Sequence, residues 1–220
     1  RAAVFSVGSF GDRWYEMALS NDIPADKFES PEGEKTSPEM VREALKTGKY
    51  DVVTVTHNET SSGIVNPCAE IGEVIAEFPG VLYLVDAVSS LGGDKIEVDK
   101  WGIDVCITST QKCLGLPPGL SLCSVSNKAI EAARGKENRG FYLDLVRLYD
   151  QVKKNDQYPS TPSLSHMFAL DYQLERIVEE EGIENRYARH RKNARAFQAA
   201  LEAMDLIPLA KAEVRATTLS

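Results

Sequence analysis

The sequence predicts an α/β fold: a mostly parallel sheet flanked by helices, followed by the start of a small C-terminal α+β domain. The first observation behind this prediction is that strand-like and helical segments alternate through residues 1–162, which favours parallel strands joined by crossover helices. The second is a nearly continuous apolar run, VLYLV, at residues 81–85. Such a run is typical of a strand that is covered on both faces of its sheet.

The N-terminal half supplies the first strands and helices. Residues 51–56, DVVTVT, are rich in β-branched side chains and predict a strand. Ser37 is a favourable N-cap and Pro38 suits a first helical turn, so a helix is predicted to follow. Residues 67–78 repeat apolar side chains at helical spacing. In order, the predicted elements of this half are a strand at 2–7, helices at 11–19 and 38–46, a strand at 51–56 and a helix at 67–78.

The second half adds three strands and then becomes helical. Its predicted strands are at 81–85, 104–108 and 120–125, the last after the turn-forming Pro117-Pro118-Gly119. Its predicted helices are at 127–133 and 141–153, followed by two long amphipathic helices at 163–181 and 183–204 that separate near Gly182. A new strand-containing unit is predicted from residue 207. The predicted domains are therefore a large domain at 1–162, connecting helices at 163–204 and the start of a small domain at 205–220.

Composition and charge argue against several classes of protein. The formal net charge of −8 argues against a nucleic-acid partner, because nucleic-acid-binding proteins usually carry a basic face. The cationic side chains of residues 186–195 are expected to form a solvated helix face. No apolar run reaches the length of a membrane helix, so no membrane partner is expected.

The four cysteines form no Cys-x-x-Cys pair and the three histidines are far apart, so neither a zinc site nor a disulfide scaffold is expected. A reduced, cytoplasmic setting is expected, with an organelle such as the peroxisome as the alternative. Both ends of the chain look strand-like and are expected to be cut from a longer protein.

Polar side chains follow the predicted strands at the point where each strand ends. Asp86 follows the apolar strand at 81–85, and Lys112 ends the Ser-Thr-Gln-Lys run that follows the strand at 104–108. Ligands of open α/β sheets bind beyond the carboxyl ends of the strands. A carboxylate and a lysine are therefore predicted to lie at the same edge of one sheet.

This pair of residues is the one that pyridoxal 5′-phosphate requires. The cofactor needs a lysine for its aldehyde and a carboxylate for its ring nitrogen, so that the protonated ring can accept electrons. Each residue also has an ordinary interpretation. Asp86 could be a metal ligand or a helix cap, Lys112 a solvated loop residue, and His57, which follows the strand at 51–56, a structural histidine. A nucleotide-binding oxidoreductase is disfavoured because no Gly-x-Gly-x-x-Gly motif follows a strand.

At these residues the sequence resembles the class V (fold type I) aminotransferases, and within them the alanine/serine–glyoxylate and serine–pyruvate group. The matching segments are residues 8–13 (GSFGDR), 56–63 (THNETSSG), 84–93 (LVDAVSSLGG), 109–112 (STQK) with 117–119 (PPG), and 158–162 (YPSTP). The segments that contain Asp86 and Lys112 are the most specific, and the resemblance covers nearly the whole chain. It implies the large domain of the pyridoxal-phosphate fold type I.

The resemblance also implies roles for individual residues. Lys112 is implied to be the Schiff-base lysine and Asp86 the partner of the ring nitrogen. Among the other implied cofactor-binding residues, Phe10 would stack on the ring, and Thr60 and Val88 would lie beside it. Ser109 and Gln111 would bind the phosphate. The remaining two are Tyr158 and Thr161. The last two would reach the phosphate in the neighbouring subunit, which implies a homodimer with shared active sites.

The implied activity is transamination between serine or alanine and a small 2-oxo acid, glyoxylate or pyruvate. The alternatives are a cysteine desulfurase or related lyase, an aminotransferase for aminoethylphosphonate or ureidoglycine, and an inactive fragment that is only a folded domain. A desulfurase is disfavoured because Gln111, not a histidine, precedes Lys112, and because Cys123 is expected to be buried in a strand. The phosphate-binding loop and the arginine that binds the substrate carboxylate are expected outside this chain.

Overall fold

A six-stranded sheet forms the centre of the computed structural model, which describes residues 1–218 of the 220. The strands are β1 (Ala2–Ser6), β2 (Ala25–Glu29), β3 (Val52–Thr56), β6 (Leu82–Asp86), β7 (Val105–Ser109) and β8 (Ser121–Val125), in the spatial order β2-β1-β3-β6-β7-β8. All neighbouring strands are parallel except β7 and β8. A short antiparallel hairpin, β4 (Asn58–Glu59) and β5 (Ile64–Val65), follows β3.

Helices cover the sheet and continue the chain beyond it. They are α1 (Ser9–Ser20), α2 (Pro38–Lys46), α3 (Cys68–Ala76), α4 (Asn127–Arg134), α5 (Leu145–Asn155), α6 (Leu164–Glu175) and α7 (Ile183–Ala203). A π-helical segment, Arg176–Glu181, joins α6 to α7, and a short 3₁₀ helix lies at Ala212–Val214. Of the helices that the structure describes, none is both long and apolar enough to cross a membrane.

The side chains of β1 alternate between the two faces of the sheet, and both faces are covered. Ala3 and Phe5 belong to the main hydrophobic core, which also contains the buried side chains of α2 and α3. Ala2 and Val4 point to the other face, where they pack with Trp14 of α1. Successive side chains of a strand point to opposite faces, so one apolar strand supplies both cores. The predicted α/β architecture is confirmed.

Three predicted elements differ from the structure. The helix predicted at 141–153 begins at Leu145, because Asp144 caps it by accepting hydrogen bonds from the backbone N–H of Val146 and Arg147. The helix predicted at 163–181 changes to π-helical geometry at Arg176. The strand-containing unit predicted from residue 207 has, through residue 218, only the 3₁₀ helix and an isolated bridge between Ile64 and Arg215. Residues 219 and 220 lie outside the described residues, and the division into domains stays a prediction.

Candidate active site

The carboxyl ends of three parallel strands meet at one edge of the sheet. Asp86 is the last residue of β6 and lies in register with Thr56 of β3 and Ile107 of β7. Ser109 is the last residue of β7, and the turn that follows it carries Lys112. The structure therefore brings the segments of the predicted carboxylate and the predicted lysine to the same edge, on neighbouring strands.

Asp86 is a buried carboxylate that receives hydrogen bonds from two neutral donors. Asp86 is only 9% exposed to solvent. Oδ1 accepts a hydrogen bond of 2.9 Å from the backbone N–H of Val88, and Oδ2 accepts one of 3.3 Å from the indole Nε1 of Trp14. Burial raises the pKa of Asp86 above its ordinary value, and the charge of Glu59 adds to the rise. The hydrogen bonds from Val88 and Trp14 lower the pKa of Asp86, and the charge of Arg13 lowers it by a smaller amount.

Glu59 fixes the start of helix α1 beside this carboxylate. It is fully buried, and its carboxylate accepts hydrogen bonds from the backbone N–H groups of Phe10 (3.1 Å) and Gly11 (3.0 Å). Ser61 also donates to it through its backbone N–H and its hydroxyl. The first N–H groups of a helix lack partners within the helix and carry partial positive charge, so a buried carboxylate is stabilised there.

The residues implied to lie beside the cofactor ring, Phe10, Thr60 and Val88, have contacts with neighbouring side chains and with Asp86. Phe10 is half-buried in the first turn of α1, with the guanidinium of Arg13 4.8 Å from its ring centroid. The hydroxyl of Thr60 lies 2.6 Å from the hydroxyl of Ser89, three residues after Asp86. The backbone N–H of Val88 donates a hydrogen bond to Asp86. The structure therefore places Phe10, Thr60 and Val88 on the segments that surround Asp86.

The residues after β7 differ in their exposure. Ser109 is buried, and its hydroxyl has no hydrogen-bond partner within residues 1–218. Gln111 is exposed and Lys112 is half-buried in the turn. The turn is closed by a hydrogen bond of 2.8 Å from the N–H of Gly115 to the carbonyl of Lys112.

Tyr158 and Thr161 lie elsewhere in this subunit. Both are exposed, and both line a cavity of about 930 Å³ with residues of β8, the start of α6 and the exposed aromatic Tyr142. Asp86, Thr60 and Lys112 do not line that cavity. The contact of Tyr158 and Thr161 with the phosphate of a neighbouring subunit stays a prediction.

Arg186 was expected on a solvated helix face, and that expectation is wrong. It is 8% exposed and joins α7 to the two loops that follow Asp86 and Lys112. Its Nε donates to the carbonyl of Gly92 at 2.7 Å, its Nη2 donates to the carbonyl of Cys113, and its Nη1 pairs with Glu181 at 2.9 Å. The π-helical segment ends at Glu181, so its geometry places the acid that neutralises this buried guanidinium.

His57 is buried and Cys123 is exposed. Burial lowers the pKa of His57 to about 4, and its Nδ1 lies 2.9 Å from the hydroxyl of Ser90, so this side chain is neutral at physiological pH. Cys123 was expected to be buried, and this is wrong: it is exposed on the edge strand β8. Neighbouring atoms nevertheless desolvate the thiol and raise the pKa of Cys123, which disfavours a reactive thiolate.

Sequence reasoning missed Trp14 and assigned no role to Glu59. Trp14 is four residues after Phe10, a spacing that places the two side chains on the same face of a helix. That spacing was the available signal. The contact of Glu59 with the N-terminus of α1 had no local signal, because the two segments are 48 residues apart in the chain.

The arrangement fits pyridoxal 5′-phosphate. Within residues 1–218 no cation forms an ion pair with the buried Asp86, so a protonated ring nitrogen would supply the missing partner. The buried hydroxyl of Ser109 has no partner in the described part of the chain and can serve a phosphate oxygen. Lys112, the lysine that would hold the aldehyde, is half-buried on the adjoining turn.

Comparisons with known proteins agree with this assignment. The family model for class-V aminotransferases matches residues 13–220. An uncharacterized aminotransferase of Methanocaldococcus jannaschii is 44% identical, over 97% of this chain and 56% of its own length. A serine–glyoxylate aminotransferase of Methylorubrum extorquens is 35% identical, over 93% of this chain and 52% of its own length.

A crystal structure of an alanine–glyoxylate aminotransferase from Nostoc sp. superposes with a TM-score of 0.91 at 33% identity. The match covers 98% of this chain and 57% of that one. The fold is therefore the large-domain fold of the pyridoxal-phosphate fold type I, and the chain spans about half the length of the curated relatives it matches. The chain belongs to the class V aminotransferase family, whose members depend on pyridoxal 5′-phosphate.

Proposed function

We propose that the protein containing this chain transfers an amino group from a small amino acid, serine or alanine, to a small 2-oxo acid, glyoxylate or pyruvate. The observation that carries the proposal is the position of the buried carboxylate of Asp86 on the strand next to the one that leads to Lys112. Relatives named for serine–glyoxylate and alanine–glyoxylate transamination support this choice of substrates.

Each residue has a stated task in this proposal. When bound, pyridoxal 5′-phosphate supplies an aldehyde that takes up the amino group and a ring that accepts electrons. The carboxylate of Asp86 accepts a hydrogen bond from the ring N–H and keeps that proton in place. The amine of Lys112 would take the proton from the α-carbon of the donor amino acid, and in the second half-reaction it would deliver a proton to the α-carbon of the incoming 2-oxo acid. Phe10 would pack on the ring, Thr60 would contact its polar edge, and Ser109 and Gln111 would hold the phosphate.

The alternative activities differ in the residue beside the lysine and in the donor. A desulfurase typically carries a histidine before its lysine, whereas this chain has Gln111. Users of aminoethylphosphonate and ureidoglycine share the core described here, so the donor separates them from users of serine and alanine. A fragment that is only a folded domain would bind no cofactor.

The test uses the full-length protein loaded with cofactor. We expect L-serine or L-alanine to change the absorbance of the cofactor and to release the corresponding 2-oxo acid, and glyoxylate or pyruvate to restore the original spectrum. Aspartate, aminoethylphosphonate and ureidoglycine are run in parallel at the same concentration. Turnover of aminoethylphosphonate or ureidoglycine alone would replace the proposed donor, and release of sulfur from cysteine would replace the reaction type.

We also propose that the protein is a cytoplasmic homodimer in which Tyr158 and Thr161 complete the phosphate site of the partner subunit. The support is their exposure and their distance along the chain from Lys112. Pro159 and Pro162 restrict the backbone of this segment, so its hydroxyls are held in a defined position. The four cysteines are free, which suits a reducing compartment.

Subunit complementation tests the shared site. We expect co-expressed Lys112→Ala and Tyr158→Phe/Thr161→Val subunits to recover about a quarter of the parental activity, because half of the dimers are mixed and each mixed dimer keeps one intact site. Each variant alone is the control and is expected to be nearly inactive. If Tyr158 and Thr161 served their own subunit, every site in the mixture would keep one defect. Absence of recovery in verified heterodimers would therefore contradict the shared site.

A further inference from the structure

We propose that Trp14 is a positioning residue that holds the carboxylate of Asp86 ionised and turned toward the ring nitrogen of the cofactor. The hydrogen bond from its indole Nε1 to Oδ2 of Asp86 joins helix α1 to the end of strand β6, across 72 residues of chain. The inference rests on the proposed role of Asp86 and adds a residue from a different element to that role.

The geometry of the two donors restrains the carboxylate. The N–H of Val88 binds Oδ1 and the N–H of Trp14 binds Oδ2, so each oxygen is held from a different direction. An ionised carboxylate has about four acceptor positions, of which two remain for a ligand. Rotation of the carboxylate about its Cβ–Cγ bond breaks at least one of these bonds, so the remaining positions keep a constant direction.

Trp14 is itself held firmly enough to do this. Its ring packs with the buried side chains of Ala2, Val4 and Ala25 on one face of the sheet. The first turn of its helix is attached to the buried carboxylate of Glu59. The indole N–H therefore reaches Asp86 from a scaffold that has two independent attachments to the rest of the domain.

The charges around Asp86 explain why a neutral donor matters there. Burial raises the pKa of Asp86, and the negative charge of Glu59 on β4 acts in the same direction. The opposing groups are the N–H of Val88, the N–H of Trp14 and the charge of Arg13 on α1. Cys106 on β7 lies opposite Val85 and points to the other face of the sheet, but its thiol still senses the charge of Asp86. Burial raises the pKa of this thiol to about 11, so it is uncharged at neutral pH.

A protonated Asp86 would be unable to keep the ring nitrogen protonated. Hydrogen bonds to the ionised form of an acid favour that form. Trp14 supplies such a bond without adding a positive charge that would compete with the protonated ring. Loss of the indole N–H is therefore expected to raise the pKa of Asp86 further and to weaken its hold on the proton of the ring.

The test compares three variants of the full-length protein. In Trp14→Phe the donor and part of the ring are removed. Replacement of Trp14 by the benzothiophene analogue of tryptophan, which has sulfur in place of N–H, keeps the shape and removes only the donor. Tyr15→Phe is the matched control, because Tyr15 packs in the same cluster on the same helix and its hydroxyl makes no hydrogen bond within residues 1–218.

Two readouts are made on each variant. The first is the pKa of Asp86 in the cofactor-free protein, measured by isotope-edited infrared titration with Asp86→Asn to identify the band. The second is kcat and KM for the amino donor. We expect both Trp14 variants to raise the pKa of Asp86 and to lower kcat roughly tenfold with little change in KM, and we expect Tyr15→Phe to change neither.

The outcomes separate this inference from the proposed function. An unchanged pKa of Asp86 in the benzothiophene variant would overturn the positioning role, as would a raised pKa with parental kcat. A fall in kcat for Trp14→Phe that is absent from the benzothiophene variant would show that Trp14 acts by packing alone, and would overturn the role as well. Failure of the proposed role of Asp86 is detected separately, as full turnover by Asp86→Asn, and failure of the proposed function is detected as absence of turnover of serine and alanine by the parental protein.

Discussion

Replacement of Lys112 by alanine is expected to lower turnover by roughly 10²–10⁴-fold or more. That range is typical for removal of a positioned acid–base group. Lys112 would be lost both as the attachment point of the cofactor and as the group that moves the proton of the substrate α-carbon. Its side chain forms no ion pair or hydrogen bond within residues 1–218, so the free energy of unfolding of the cofactor-free protein should change by less than about 0.5 kcal/mol. Steady-state kinetics and thermal unfolding measure the two effects.

Reduction with borohydride followed by peptide mapping identifies the lysine directly. We expect the pyridoxyl label on Lys112 in the parental protein and no label in Lys112→Ala. Lys100→Ala is the matched control, because Lys100 is an exposed loop lysine whose one ion pair among the described residues is with Glu97 on the surface. A label on another lysine of the folded, full-length protein would disprove the assignment of Lys112.

Replacement of Asp86 by asparagine is expected to leave part of the cofactor binding and to lower turnover by roughly a hundredfold or more, since each loss of about 1.4 kcal/mol in transition-state stabilisation is a factor of ten. The amide oxygen can still accept the N–H of Val88. An amide, however, has no negative charge to keep the ring nitrogen protonated. Turnover equal to that of the parent would show that Asp86 is a structural residue.

Asp86→Asn is expected to lower turnover but not to lower the free energy of unfolding. The direction of the effect on stability follows from the pKa of Asp86. Burial raises the pKa in the folded state above the ordinary value of 3.8. The folded state therefore favours the protonated acid, a contribution that is present below the unfolded pKa and is lost as the pH rises through the folded pKa. Burial therefore disfavours the charged form of Asp86 in the folded, cofactor-free parent, and Asp86→Asn removes the cost of that charge.

Thermal unfolding of the cofactor-free proteins against pH checks this expectation. We expect Asp86→Asn to be as stable as the parent or more stable at pH 7, and the difference to shrink in acid. Asp104→Asn is the matched control: Asp104 is also buried, but it pairs with Lys128 and accepts from Ser126 and Tyr83. That variant should lose stability and keep its turnover. A large loss of stability in Asp86→Asn would contradict the uncompensated burial of its charge.

Much of the fold was predictable because local patterns specify it. The β-branched run at β3 and the apolar run at β6 were recognised as strands, and both strands are parallel neighbours in the sheet. Strand β2, Ala25–Glu29, was missed because its sequence, ADKFE, has no apolar alternation. It becomes a strand by pairing with β1, and its Lys27 is neutralised by Asp12 at 3.0 Å and Glu29 at 2.9 Å.

The sequence by itself determined that this chain forms a parallel α/β sheet and that Asp86 and Lys112 follow neighbouring strands, because strand patterns are local and parallel strands end at one edge. Only the tertiary structure decided how deeply Asp86 is buried, that Trp14 and Val88 hydrogen-bond to it, and that Glu59 caps the helix of Trp14. The physical reason is that the ionisation and the orientation of a side chain depend on the solvent it loses and the donors it meets. Those donors come from segments up to 72 residues away, which no local pattern of residues can specify.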